Sequence, residues 1–134
     1  LAFHLGGNPK EFDAQTDSGL AWHPASSVFS GSGSTDSGAL FSYFANWQAP
    51  GRWSLEILTQ KRRLIFRPLE ELQLQEIGSV AIQPVKDISY EKDKSFKPGL
   101  HAQVQAFIDR EDCYLCSISN QLEMLDVYYK MANY

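Results

Sequence analysis

The sequence has few of the features that mark secreted, membrane-spanning or nucleic-acid-binding proteins. Only two cysteines occur in 134 residues, too few for a disulfide framework, and this favours a reducing compartment, the cytoplasm. No apolar run approaches the roughly 18 residues that a membrane-spanning helix needs. The net charge is -4, and apart from residues 61–63 the basic residues are scattered, which argues against a nucleic-acid partner.

Glycines are concentrated in one place, but their spacing does not match a phosphate-binding loop. Gly31, Gly33 and Gly38 lack the pattern of a dinucleotide fingerprint, and the next predicted element is a strand where that site requires a helix. Residues 31–38 are rich in Gly, Ser, Thr and Asp, and they are predicted to form a flexible turn between strands.

The two cysteines, Cys113 and Cys116, have the C-x-x-C spacing of a redox pair or of half a zinc site. Zinc needs four ligands, and the sequence offers no second pair. The surrounding residues are apolar, which favours structural cysteines over a reactive thiol; a redox protein remains an alternative.

The three histidines show no spacing typical of metal ligands or of a catalytic triad. His4, His23 and His101 are isolated from one another and from carboxylates at metal-ligand spacing. A hydrogen-bonded or solvent-edge role is the simplest reading, with a substrate contact as the alternative for His101. The residues therefore predict no catalytic, cofactor-binding or metal-binding site within this chain.

Alternating apolar residues predict strands over the first two thirds of the chain. The clearest covers residues 39–47 and is apolar on both faces, which predicts a covered sheet. Tight turns join it to strands at 53–57 and 63–67, as in an antiparallel meander. Further strands are predicted over residues 10–16, 27–30, 72–76 and 80–84.

Two helices are predicted to close the chain. The first, over residues 98–109, carries one apolar stripe formed by Leu100, Val104, Phe107 and Ile108. The second opens at Ser117, a suitable N-cap. Strands followed by helices indicate an α+β fold, a mostly antiparallel open sheet of about five or six strands.

Aromatic residues make up 13% of the chain, and several are predicted to lie on the sheet. Such residues usually form a core or an oligomer interface, but they also suit the apolar face of a sugar ring. Arg63 belongs to the same meander and would meet a carboxylate or phosphate, or simply face solvent. The candidates for a substrate pocket are Trp22, Trp47, Arg63 and His101.

Several motifs occur in the order seen in one enzyme family. They are LAFHLGGNP at 1–9, FSYFANW at 41–47, APGRW at 49–53 with EILT at 56–59, PLEEL at 68–72, and KPGL at 97–100 leading to AFI at 106–108. This ordered set resembles the C-terminal domain of the glucose-fructose oxidoreductase and inositol dehydrogenase family. The resemblance covers nearly the whole chain.

The resemblance implies a large antiparallel sheet with helices on one face and the other face used for oligomerisation. It implies that residues 1–134 form a single C-terminal domain that binds a sugar-like substrate. In that family a separate Rossmann domain holds NAD or NADP and a catalytic Lys, and the catalytic His would precede Leu1.

The chain begins without Met inside an apolar run, which favours a fragment of such an enzyme, inactive alone and paired with a second copy. The alternative is a stand-alone carbohydrate-binding or oligomerisation module.

Overall fold

A computed structural model describes residues 1–111 and 115–134 and divides the chain into two compact units. The first unit combines Leu1–Pro50 with Ile118–Tyr134, and the second is Gly51–Ser117. The strands are β1 (Pro9–Asp17), β2 (Val28–Thr35), β3 (Leu40–Asn46), β4 (Leu55–Leu58), β5 (Arg62–Phe66), β6 (Leu72–Glu76) and β7 (Gln83–Pro84). The helices are α1 (Ala2–Gly6), α2 (Glu91–Ser95), α3 (Leu100–Asp109), α4 (Ile118–Glu123) and α5 (Leu125–Ala132).

The fold is α+β with antiparallel strand pairs, as the order of elements predicts. The strands form two sheets, β1-β2-β3 in the first unit and β4-β5-β6-β7 in the second. The predicted meander through residues 39–67 is confirmed for its second pair, β4 with β5, and wrong for its first, because β3 pairs with β2 and not with β4. Residues 47–54 separate β3 from β4; Gln48 turns back to donate its backbone N–H to Asn46 Oδ1, and Pro50 has no N–H to continue a ladder.

The glycine-rich segment continues as a strand as far as Thr35. The prediction of a flexible turn over residues 31–38 is therefore confirmed only for the residues after Thr35. Gly31 pairs with Tyr43 and Gly33 with Phe41 across β2 and β3. A Cβ on Gly31 would lie 2.5 Å from the Tyr43 ring. The missing side chain of Gly31 therefore leaves room for the Tyr43 ring, and that of Gly33 allows β1 to approach closely.

The two sides of the β1–β3 sheet differ in their environment. On one side Phe12 and Phe41 lie with ring centroids 6.2 Å apart, and α5 packs there, with Lys130 Nζ 4.3 Å from the Phe12 centroid. Leu40 and Phe44 point to the other side and are exposed, Phe44 to 73%. The sheet is therefore covered on one side, and the prediction from the two apolar faces of β3 that both sides are covered is wrong for this chain alone.

In the second unit, β5 lies between β4 and β6 and carries the buried residue Ile65. Arg63 pairs with Glu56 on β4, and Arg62 pairs with Glu76 on β6 at 3.5 Å. Long side chains of opposite charge thus line neighbouring strands and support their register.

Helix α3 was predicted correctly within two residues at its start, but its orientation differs from the prediction. All four residues of its apolar stripe are exposed, and Ala106 is the buried residue. Ala106 is about 200° around the helix from Val104, so the stripe faces away from the covered side. None of the described helices has the length and apolar character needed to span a bilayer.

Candidate functional site

The first unit carries a pair of stacked tryptophans on its surface. The rings of Trp22 and Trp47 are parallel within 4° and their centroids are 5.6 Å apart. Trp47 directly follows β3, and its backbone N–H donates to the Ser27 carbonyl at 2.9 Å. Trp22 lies in a tight turn in which Leu20 and His23 exchange two backbone hydrogen bonds of 2.9 Å. We call this pair the tryptophan platform.

The turn that presents Trp22 is held in place by close packing. A Cβ on Gly19 would lie 2.6 Å from the Pro24 carbonyl oxygen, so this position requires glycine. Ser26 and Ser27, which follow, are fully buried. The Gln48 side-chain amide donates to Ser27 Oγ at 2.7 Å. These contacts connect the turn to the end of β3 and preorganise the platform.

The platform has one supported side and one open side. Trp47 packs on the buried ring of Phe29 with centroids 5.1 Å apart, and it meets the edge of His23 at 4.9 Å. Trp47 remains 44% exposed and Trp22 71% exposed. One face of Trp22 lies against Trp47, so its exposed area belongs mainly to the opposite face.

A polar pair borders the platform. His23 Nδ1 is 2.6 Å from the Ser26 carbonyl oxygen, and its Nε2 is hydrogen-bonded to the Tyr134 hydroxyl. Tyr134 follows α5, and its ring meets that of His23 edge-on at 5.4 Å. Both ring nitrogens of His23 are therefore engaged in hydrogen bonds beside an exposed aromatic surface.

This arrangement suits binding of a ligand that is apolar on one face and polar at its rim. A tryptophan face provides apolar area with little conformational entropy to lose, and a few convergent polar groups fix the orientation of a ligand. A sugar or cyclic polyol has this shape, because its C–H groups line one face and its hydroxyls project from the edge.

Of the four residues predicted for a substrate pocket, the structure brings together Trp22 and Trp47. Arg63 and His101 belong to the second unit. Arg63 is paired with Glu56 and lines a shallow, open depression of about 260 Å³ beside the β4–β5 turn. The His101 ring lies 5.6 Å from that of Phe96.

Sequence reasoning missed His23 and Tyr134 as site residues. The adjacency of His23 to Trp22 was a usable signal, since neighbours in a tight turn share a surface. Tyr134 lies 111 positions from His23, and no spacing rule connects residues at that distance. Only the packing of α5 against β1 and β2 brings the end of the chain to this turn.

The other motifs singled out by sequence do not form a cofactor site in the described residues. Gly31 and Gly33 lie inside β2, so no helix N-terminus follows them, and they do not fit the phosphates of a dinucleotide. Cys116 is exposed, whereas Cys113 lies outside the described residues. Across residues 1–111 and 115–134, no three His, Cys, Asp or Glu side chains are grouped to hold a metal ion.

Comparison of the chain with protein-family models, with curated proteins and with solved structures found no significant match. A functional assignment therefore depends on the geometry of the site and on the ordered sequence motifs.

Proposed function

We propose that the chain is the C-terminal, substrate-side domain of a cytoplasmic NAD- or NADP-dependent sugar or polyol oxidoreductase. It binds the sugar on the tryptophan platform and does not transfer hydride alone. The observation that carries this proposal is the stacked and exposed pair of Trp22 and Trp47 with hydrogen-bonding groups beside it.

The platform is suited to weak and reversible binding of a small ring. Covering roughly 80 Å² of the Trp22 face contributes about 2 kcal/mol. Two or three hydrogen bonds at the rim add about 1 kcal/mol each. The sum, about 4–5 kcal/mol, is an upper limit because association itself costs free energy, so we expect a dissociation constant of about 1 mM or weaker. This is at the weak end of substrate affinities for enzymes.

The ordered motifs support an oxidoreductase as the parent enzyme. In the family that they resemble, a separate Rossmann domain binds the nicotinamide cofactor. Gly31 and Gly33 lie inside β2, packed against the Tyr43 ring and the β1 backbone, and do not offer a second dinucleotide site. The role left to this chain is to bind and orient the substrate.

Pairing with a second copy is part of the proposal. An exposed apolar face on a strand is a common mark of an interaction surface. Leu40 and Phe44 on the open side of β3 are the apolar contacts expected there.

Isothermal calorimetry and tryptophan fluorescence with glucose and myo-inositol test the sugar-binding role. Trp22→Ala should abolish the fluorescence response, because it removes the open face. Trp53→Ala is the matched control, since Trp53 is 73% exposed but belongs to the second unit. An unchanged response in Trp22→Ala, or micromolar binding of NAD or NADP to this chain, would overturn the proposal.

A stand-alone carbohydrate-binding module is the second candidate, because the same platform serves either role. The coding sequence upstream of Leu1 separates the two. A G-x-G-x-x-G strand–turn–helix encoded there supports the oxidoreductase, whereas a start codon directly before Leu1 supports the module.

A further inference from the structure

We infer that Tyr134 is the hydrogen-bond acceptor of the sugar site, and that His23 makes it one by engaging the Tyr134 proton. The site would then select a ligand that presents a free hydroxyl at the rim of the ring lying on Trp22. This inference rests on the sugar-binding part of the proposed function.

The first step concerns the tautomer of His23. Nδ1 lies 2.6 Å from the Ser26 carbonyl oxygen, and a carbonyl oxygen can only accept. Nδ1 therefore carries the proton. In the neutral imidazole, Nε2 is then left with a lone pair, and the partner that it meets is the Tyr134 hydroxyl. Tyr134 must donate its O–H to Nε2.

The second step concerns what Tyr134 can still offer. A phenolic hydroxyl has one proton and can also accept hydrogen bonds. Because the proton is directed to His23, a ligand meets only the lone pairs of this oxygen. Tyr134 is 70% exposed, and its hydroxyl lies beside His23, whose ring centroid is 5.7 Å from that of Trp22. The acceptor is thus linked to the platform through one side chain, that of His23, which contacts both tryptophans.

The third step concerns the ligands that this acceptor distinguishes. A free sugar hydroxyl donates to Tyr134, whereas a methyl ether at the same position has no proton to donate and leaves the oxygen unpaired. A site built to hydrogen-bond one group discriminates strongly against an analogue that lacks it. We expect one mono-O-methyl ether of glucose to bind about five- to tenfold more weakly than glucose.

His23 acts here as a positioning residue. Replacing it with Phe leaves the Tyr134 proton free to donate to an ether oxygen. Discrimination between glucose and its methyl ether should therefore decrease in His23→Phe, a result that loss of packing alone would not produce. Tyr134→Phe removes the acceptor itself and should also abolish discrimination.

The experiment measures binding of glucose and each of its mono-O-methyl ethers to the wild-type chain and three variants. In the wild-type chain we expect one ether to bind about five- to tenfold more weakly than glucose. This difference in affinity should disappear in Tyr134→Phe and in His23→Phe. The difference should persist in Tyr129→Phe, the control, whose ring lies 6.0 Å from that of Tyr134. Nitrogen NMR shifts of the neutral His23 ring report the tautomer independently of any ligand.

The outcomes separate the inference from the proposed function. Binding of glucose that needs Trp22 but shows equal affinity for every ether overturns the inference and leaves the sugar-binding role in place. A neutral His23 protonated at Nε2 also overturns the inference. No binding of glucose or myo-inositol to the wild-type chain overturns both.

Discussion

Gly33 is the position where a single methyl group most directly tests the described sheet. An ideal Cβ there would lie 2.1 Å from the Glu11 carbonyl oxygen and 2.4 Å from the Phe12 Cβ. Ordinary contacts between such atoms are about 3.5 Å. The nearest atom belongs to the backbone of β1, so no side-chain rotation relieves the clash. In Gly33→Ala the two strands must separate by about 1 Å.

The expected cost follows from this overpacking. Inserting a methyl group into a closely packed site costs about 1–3 kcal/mol. For a cooperative unit of this size, each kcal/mol lowers the midpoint of thermal unfolding by about 4–8 °C. We therefore expect Gly33→Ala to unfold at least about 5 °C below the wild-type chain.

Circular dichroism melts and urea titrations measure this difference, with Ser32→Ala as the control. Ser32 is the adjacent residue in β2, is exposed and projects to the opposite side of the sheet. Its replacement should change stability by less than about 0.5 kcal/mol. If Gly33→Ala and Ser32→Ala unfold together, β2 does not lie against β1 as described.

Further predictions concern the open side of the β1–β3 sheet and the covered side. Phe44→Ser should convert a dimer to a monomer in light scattering, and because Phe44 is 73% exposed within one chain, its urea midpoint should match that of the wild-type chain diluted until the dimer dissociates; a wild-type monomer would contradict the pairing proposal. Tyr43→Phe should leave stability unchanged or raise it, since the buried Tyr43 hydroxyl has no hydrogen-bond partner among the described residues; a clear loss in the urea midpoint would reveal an unseen partner. Burial also raises the pKa of Tyr43. The free energy of unfolding should therefore be retained below about pH 10, and it should fall as the pH rises from there through the pKa of Tyr43 in the folded chain. Tyr43→Phe should reduce that alkaline loss, measured as the urea midpoint between neutral pH and pH 11.

The fold was predictable where local pattern and tertiary packing agree. The alternation in β1 and β6 and the 3.6-residue period of α3 all mark elements that the structure contains. The glycine-rich strand was not predictable from composition. Gly31 favours a turn by its own propensity, and pairing of β2 with both β1 and β3, with the Tyr43 ring packed on Gly31, stabilises the strand.

Local sequence patterns also do not predict that the strands divide into two sheets. Each strand can pair with either neighbour by pattern alone, and the choice depends on the connection between β3 and β4. For the site, the aromatic content pointed to Trp22 and Trp47, which the structure brings together as a stacked pair; their role in binding stays a prediction. Arg63 and His101 were chosen by residue type, which carries no information about the unit in which a side chain lies.

The most direct test of the tryptophan platform is a nitrogen–proton NMR titration that follows the three indole N–H signals while glucose or myo-inositol is added. The chain contains three tryptophans, and single substitutions assign each signal. The platform predicts saturable shifts, with a midpoint of about 1 mM or higher, for Trp22 and Trp47, and an unmoved signal for Trp53. Signals of Trp22 and Trp47 that stay in place up to tens of millimolar sugar, or that move no more than that of Trp53, would contradict it.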